Sequence, residues 1–307
     1  MHVPVMLAEC LEYLGIGEGG VYADLTAGLG GHTRAMAERV GPRGLVLSCD
    51  RDAESLEMAR ANTADFAGRI NFQQILFSQV GEMLAAQGIP QLDGLLADLG
   101  VSRYQLTAGE RGFSLLADGP LDMRMSRQEG RQGQTAASIV NFESEKELAD
   151  LIYQLGEERR SRRIARAIVR ARPIQTTGQL AKLIEEAVPR TGKIHPATQT
   201  FMALRIAVNR ENQELDALLD AIPQVVKPGG RAVILTFMSL EDRKVKHKFQ
   251  SLAKEGRARL LSKHVVKPTE EEIRSNPPSR SAKLRAVEIE SSARLRGFVE
   301  NSSAYGL

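Results

Sequence analysis

Cysteine is scarce in this chain of 307 residues, with only Cys10 and Cys49 present. Two thiols make no disulfide framework, which excludes the small stapled scaffolds of secreted proteins and makes a reducing, cytoplasmic setting the expected one. Cys49 lies inside an apolar run and reads as a small core residue. No stretch reaches the roughly 18 consecutive apolar residues of a membrane helix, so no membrane role is expected. The opening Met1-His-Val-Pro-Val-Met6 has neither the basic nor the apolar region of a secretion signal. The five histidines, at 2, 32, 195, 247 and 264, show no metal-ligand spacing, and no metal site is expected. The net charge is only +3, which rules out a simple polycation.

What is present is a glycine loop between a strand and a helix. Tyr22-Ala-Asp-Leu-Thr-Ala-Gly-Leu-Gly-Gly-His32 runs from a short apolar strand into glycines, and Thr33-Arg-Ala-Met-Ala-Glu-Arg39 takes up a helical pattern. Glycine permits close backbone approach, and a helix N-terminus offers unpaired N–H groups to a nucleotide-like ligand. Leu45-Val-Leu-Ser-Cys-Asp50 is a second apolar strand ending in a carboxylate. A carboxylate roughly 20 residues past such a loop commonly takes ribose hydroxyls. The dinucleotide pattern G-x-G-x-x-G fails at Thr33, where its third glycine belongs. Gly28-Leu-Gly30-Gly31 suits a nucleoside without a pyrophosphate, of which S-adenosylmethionine is the example.

Apolar segments at 21–26, 44–49, 70–77 and 92–98 alternate with helical patterns at 33–40, 52–63 and 78–88. This rhythm predicts a parallel sheet wrapped by helices, an α/β fold of Rossmann-like type. Asp24, Asp50 and Asp98 stand at three strand ends and are expected to gather at the ligand crevice, where carboxyl ends of parallel strands converge. After Asp98 the rhythm stops. Residues 103–135 show no period and 143–188 are helical, with capping boxes at Ser144/Glu147 and Thr176/Gln179 and an interruption at Gly156. A third helical run is expected over 198–222, then a strand after Pro228-Gly-Gly-Arg231, then an antiparallel pair at 258–267 and 283–289. The expected division is therefore a first part of the sheet domain at 1–103, a mostly helical insert at 104–197, a second part at 198–290, and a tail at 291–307. Residues 155–172 hold seven arginines against two glutamates. Arg159, Arg163, Arg166 and Arg170 recur at helical spacing on a side apart from Ile164 and Ile168. That face reads either as a solvated helix surface or as a phosphate-tracking one for nucleic acid.

Together these motifs resemble the bacterial 16S rRNA cytosine-N4-methyltransferases, the MraW family. The likeness runs over about residues 2–290 and includes Thr26-Ala-Gly-Leu-Gly-Gly-His32, Cys49-Asp-Arg-Asp52, Asp98-Leu-Gly-Val-Ser102 and Glu110-Arg-Gly-Phe-Ser114. It continues in Asp118-Gly-Pro-Leu-Asp-Met-Arg-Met125, Gly156-Glu-Glu-Arg159, His195-Pro-Ala-Thr198, Ser239-Leu-Glu-Asp-Arg243 and Arg280-Ser-Ala-Lys-Leu-Arg285. The resemblance implies S-adenosylmethionine as methyl donor and a cytidine of the ribosomal decoding region as acceptor, met as small-subunit rRNA or as the assembled subunit. It places donor contacts on Gly30, Gly31, His32, Asp50, Phe77, Asp98 and Gln105. Asp98, Ser102 and Asp122 are the candidates for handling the acceptor amine, and the insert's arginine face the candidate RNA platform. The chain departs from the family at Ser102-Arg103-Tyr104, where a second serine and a proline are usual, and at Met238, where a histidine is usual. Asn276-Pro-Pro-Ser279 imitates an amino-methyltransferase signature, but it lies far from the fourth strand and lacks the aromatic residue. It reads as a turn. Three other functions share parts of this pattern. A nicotinamide dehydrogenase is disfavoured by the glycine pattern, and a DNA amino-methyltransferase by the missing aromatic signature. A non-catalytic ribosome assembly factor is disfavoured by the intact loop and carboxylates.

Overall fold

The computed structural model describes residues 3–101, 105, 108–115, 117–126, 133–190, 192 and 195–291. The expected tail, apart from residue 291, lies outside this range, as do Ser102, Arg103 and Tyr104. The chain packs as two units, one formed by residues up to Gly100 together with those from Glu214 onward, the other by Val101–Gln213.

The first unit is a sheet wrapped by helices. Helix α1 (Leu7–Leu14) is followed by β1 (Val21–Asp24), α2 (Gly31–Val40), β2 (Leu45–Asp50) and α3 (Ala53–Asn62). Then come β3 (Ile70–Gln74), α4 (Val80–Ala86) and β4 (Leu92–Asp98). Among the described residues the sheet has seven strands in the order β3-β2-β1-β4-β5-β7-β6. Strand β5 (Val226–Thr236) is parallel to β4, and β7 (Lys283–Ile289) is antiparallel to both β5 and β6 (Ala258–Leu260). Side chains alternate between the two faces as strand geometry requires. Leu95 and Ala97 join one core with α4, α10 (Glu211–Val225) and α11 (Ser239–Lys254), while Leu96 joins another with α1 and α2. Both faces are covered, so the strands read as near-continuous apolar runs. Asn276–Ser279 enters a short 3-10 turn before β7, as the sequence suggests.

The second unit is helical: α5 (Ala136–Phe142), α6 (Glu145–Gly156), α7 (Ser161–Ala171), α8 (Thr177–Ala187) and α9 (Thr198–Asn209). The capping boxes at Ser144/Glu147 and Thr176/Gln179 are formed. Helix α5 falls where the sequence shows no period. It is only seven residues long and opens with a Thr135/Ser138 box, in which serine replaces the usual acid or amide. Gly156 closes α6, and a Cβ there would overlap the Gln199 carbonyl, so glycine admits α9 against α6.

One boundary differs from expectation. The helical run expected over 198–222 is two helices, broken at Arg210 in the left-handed region (φ 51°). Helix α9 buries Phe201, Leu204 and Val208 in the core of the helical unit, whereas α10 buries Leu215, Leu218, Leu219 and Ile222 against the sheet. The second crossing between units therefore falls near residue 213 rather than at 197. Hydrophobic period alone cannot tell which core an amphipathic helix will join.

Candidate active site

Three carboxylates end three neighbouring strands. Asp24 pairs in register with Ser48 of β2 and Leu96 of β4, so Asp50 and Asp98 each stand two residues beyond it. They play unlike parts. Asp24 is fully buried and accepts from the Thr26 N–H (3.1 Å) and the Thr33 hydroxyl (2.7 Å), which also bonds Ser48 (2.8 Å). It staples the glycine loop to the start of α2. Asp50 accepts from the N–H groups of Gly28 (3.0 Å) and Asp52 (2.9 Å), so it holds the loop from the other side. Burial pushes its carboxyl up to about 6, with Asp52 and Asp24 adding repulsion and the two N–H bonds opposing it.

Asp98 is the least satisfied of the three. Among the described residues its Oδ1 is buried without a hydrogen-bond partner, and its Oδ2 stands 4.0 Å from His32 Nδ1. Burial pushes this carboxyl up to about 8, and the nearby charges of Asp24 and Glu241 push the same way. A carboxyl so placed, with one oxygen unpartnered among the described residues, fits a ligand that brings a positive charge and N–H donors. The amino and sulfonium groups of S-adenosylmethionine meet that description.

The glycines divide the same labour. Gly28 and Gly30 have positive φ (51° and 86°), a backbone that other residues rarely adopt. A Cβ on Gly30 would press on Ala59, and one on Gly31 would overlap the Pro4 ring. The missing side chains at 30 and 31 are thus explained by protein packing, not only by ligand approach as the sequence suggested. What remains for a ligand is the backbone: the first helical bond of α2 runs from the Arg34 N–H to the Gly30 carbonyl, and earlier N–H groups have no partner within the helix. His32 is buried, with Nε2 3.1 Å from the Val5 carbonyl.

Phe77 follows β3 by three residues, at the strand end where Gln74 pairs with Asp50, and it is partly buried against the sheet's core. The next residue is tethered, since Glu214 accepts from both the N–H and the hydroxyl of Ser78. The structure thus brings Gly30, Gly31, His32, Asp50, Phe77 and Asp98 to one edge of the first unit. Gln105, buried, and Asp122 belong to the second unit. Asp122 carries a two-pronged ion pair with Arg124 (2.7 and 2.8 Å), which weakens it as an acceptor for a substrate amine. Asp118 accepts from the Gly178 N–H at the start of α8 and from Thr177, and these bonds hold its carboxyl below the usual range. It serves as a cap. Glu241, buried in the first turn of α11 and accepting from Phe237 and Met238, escaped sequence reasoning. So did Thr33 and Pro4. A buried threonine and a proline have no periodic signature.

Arg159 and Arg160 precede α7, with Arg160 paired to buried Glu158, whereas Arg163, Arg166 and Arg170 lie on the helix; Arg159, Arg163, Arg166 and Arg170 are exposed. Among the described residues only Arg166 of the four meets an acid, Glu145 at 3.4 Å, while Ile164, Ala165 and Ile168 are buried. The i, i+4 pairing that would make this a neutralised surface is absent among the described residues.

The strand order, with β7 antiparallel between β5 and β6, and the glycine loop backed by strand-end carboxylates define the Rossmann-like class of S-adenosylmethionine-dependent methyltransferases. Within that class the chain belongs to the MraW methylase family, whose model matches residues 1–290. It is 57% identical to a protein of Solibacter usitatus named ribosomal RNA small subunit methyltransferase H, over 94% of this chain and 100% of the relative. A protein of the same name from Acidobacterium capsulatum is 48% identical over 94% of this chain and 98% of the relative. Among solved structures, an rRNA methylase from Streptococcus thermophilus covers 95% of this chain and 100% of its own at 10% identity, with a TM-score of 0.42. That likeness is too slight to bear on function. No helix among the described residues is long and apolar enough to cross a membrane.

Proposed function

We propose that this chain methylates small-subunit ribosomal RNA from S-adenosylmethionine, and that its target is the exocyclic N4 amine of a cytidine in the decoding region. The observation that carries the donor half is the buried, unpartnered Asp98 Oδ1 beside the glycine loop. The named relatives support an rRNA substrate, and the motif likeness supports the cytidine and its site.

When bound, the donor supplies an electrophilic methyl on a sulfonium. Asp50 accepts from the ribose hydroxyls while keeping its bonds to Gly28 and Asp52, since a carboxylate has about four acceptor positions. Asp98 takes the amino group and Phe77 packs on the adenine. The cytosine amine is a poor nucleophile because its lone pair is delocalised into the ring. Alignment is therefore the main contribution the protein makes, and in well-oriented systems this reaches roughly 7–11 kcal/mol. Asp98, Ser102 and Asp122 are the candidates for handling the amine as it rehybridises. The base must be splayed from its stack to reach them. The exposed arginines of α7 track the phosphates, and Phe142 and Tyr153, exposed in the same unit, offer stacking surfaces.

Mass spectrometry of rRNA nucleosides from a strain lacking the gene tests the reading. Loss of N4-methylated cytidine from the small subunit, restored by the purified chain and donor, is expected. A missing methyl on a ring carbon or on the ribose alone would refute the amine assignment.

A further inference from the structure

Residues 3–6 do not trail away from the molecule. Met6 is fully buried in the left-handed region (φ 50°), an uncommon conformation outside glycine, and it reverses the chain at the start of α1. Its N–H donates to Glu272 Oε1 at 2.6 Å, and Asn276 Nδ2 donates to the Val3 carbonyl at 3.3 Å. Glu272 sits in α12 (Glu270–Ser275), which is capped by Thr269. Between these two anchors the segment lies on the glycine loop: the Pro4 ring fills the space beside Gly31, and the Val5 carbonyl faces His32 Nε2 at 3.1 Å. A carbonyl can only accept. Nε2 therefore donates to it, and this bond turns the His32 ring so that Nδ1 stands 4.0 Å from Asp98 Oδ2.

We infer that Glu272 is a positioning residue for the methyl donor: by anchoring the Val3–Met6 strap it fixes the His32 ring beside Asp98 and holds Pro4 against Gly31 of the glycine loop. The inference rests on the donor site assigned above. It predicts that a carboxylate at the far end of the chain governs donor affinity without touching the donor.

The test uses S-adenosylhomocysteine, which binds without reacting, and the full-length proteins wild type, Glu272→Gln, Glu272→Ala, Asn276→Ala and Asp98→Asn. Glu272→Gln keeps an acceptor for the Met6 N–H and stays within twofold of wild type by calorimetry. Glu272→Ala weakens binding roughly three- to tenfold, raises the donor KM to match and leaves kcat at saturating donor unchanged, in line with one lost, partly buried hydrogen bond. Asn276→Ala, a milder change that folds more readily, shifts affinity the same way by less. The ¹⁵N shifts of the His32 ring report its bond to the Val5 carbonyl directly, with a hydrogen-bonded Nε2–H in wild type that weakens in Glu272→Ala. A lower melting temperature in Glu272→Ala with unchanged affinity and unchanged His32 shifts would overturn the proposal. So would equal losses in Glu272→Gln and Glu272→Ala, which would point to charge instead of the strap. If Asp98→Asn binds like wild type while the His32 shifts still respond to Glu272→Ala, the donor assignment falls and the strap stands.

Discussion

Gly31 offers a sharp test of why the glycine loop has the residues it has. It opens α2 with ordinary helical backbone, so alanine there incurs no φ penalty, unlike at Gly28 or Gly30. In open space Gly31→Ala would stabilise the helix by up to about 1 kcal/mol. The space is not open: a new Cβ would overlap Pro4 Cγ, and Pro4 Cβ would stand at 3.4 Å. Overpacking of this kind costs about 1–3 kcal/mol. Pro4→Ala removes Cγ and keeps Cβ, which leaves an ordinary contact. Gly31→Ala is therefore expected to destabilise the wild-type protein and to become neutral or stabilising in Pro4→Ala, a coupling of about 1–3 kcal/mol. Urea unfolding of the four proteins at one pH measures it, with the slope checked for constancy. Donor affinity should fall in the single Gly31→Ala protein and recover in the double. Additive stabilities within about 0.5 kcal/mol would show that Gly31 serves the ligand and not the strap.

Protonation gives a second handle. Asp98, held up to about 8, takes up its proton more readily folded than unfolded, so ligand-free stability should fall as pH rises from the ordinary carboxyl range through about 8. A cationic donor favours the ionised form, and its affinity should climb with pH over the same window and level off above it; Asp98→Asn should flatten the climb, and a flat wild-type profile would refute the pairing. Asp50→Ala should weaken the donor by ~1.5–3 kcal/mol and also loosen the loop, because Gly28 and Asp52 lose their acceptor; unchanged calorimetric affinity would remove Asp50 from the site. Charge reversal of Arg163 and Arg166 should lower RNA affinity and reduce the salt slope by about 0.7–0.9 per lost phosphate contact, with donor affinity intact; binding equal to wild type across a salt series would leave α7 a solvated surface. Asp122→Asn should slow single-turnover methylation while both affinities hold, and a wild-type rate would dismiss Asp122 from the chemistry.

Much of this protein is legible in its sequence. Local chemistry determined the glycine loop, the strand-end placement of Asp24, Asp50 and Asp98, the caps at Ser144 and Thr176, and the arginine row, because each depends on residues close in sequence. The closing antiparallel strands were also readable from pattern. Tertiary structure decided the rest. Which core Thr198–Asn209 joins depends on partners far along the chain, and its period fits either. That Asp24 and Asp50 hold the loop while Asp98 keeps an oxygen unpartnered follows from which N–H groups each strand end meets, and three like carboxylates give no hint of it. The bond between Met6 and Glu272 spans nearly the whole chain. No local pattern encodes such a contact, since burial and hydrogen bonding across that separation exist only once the sheet has brought both ends together.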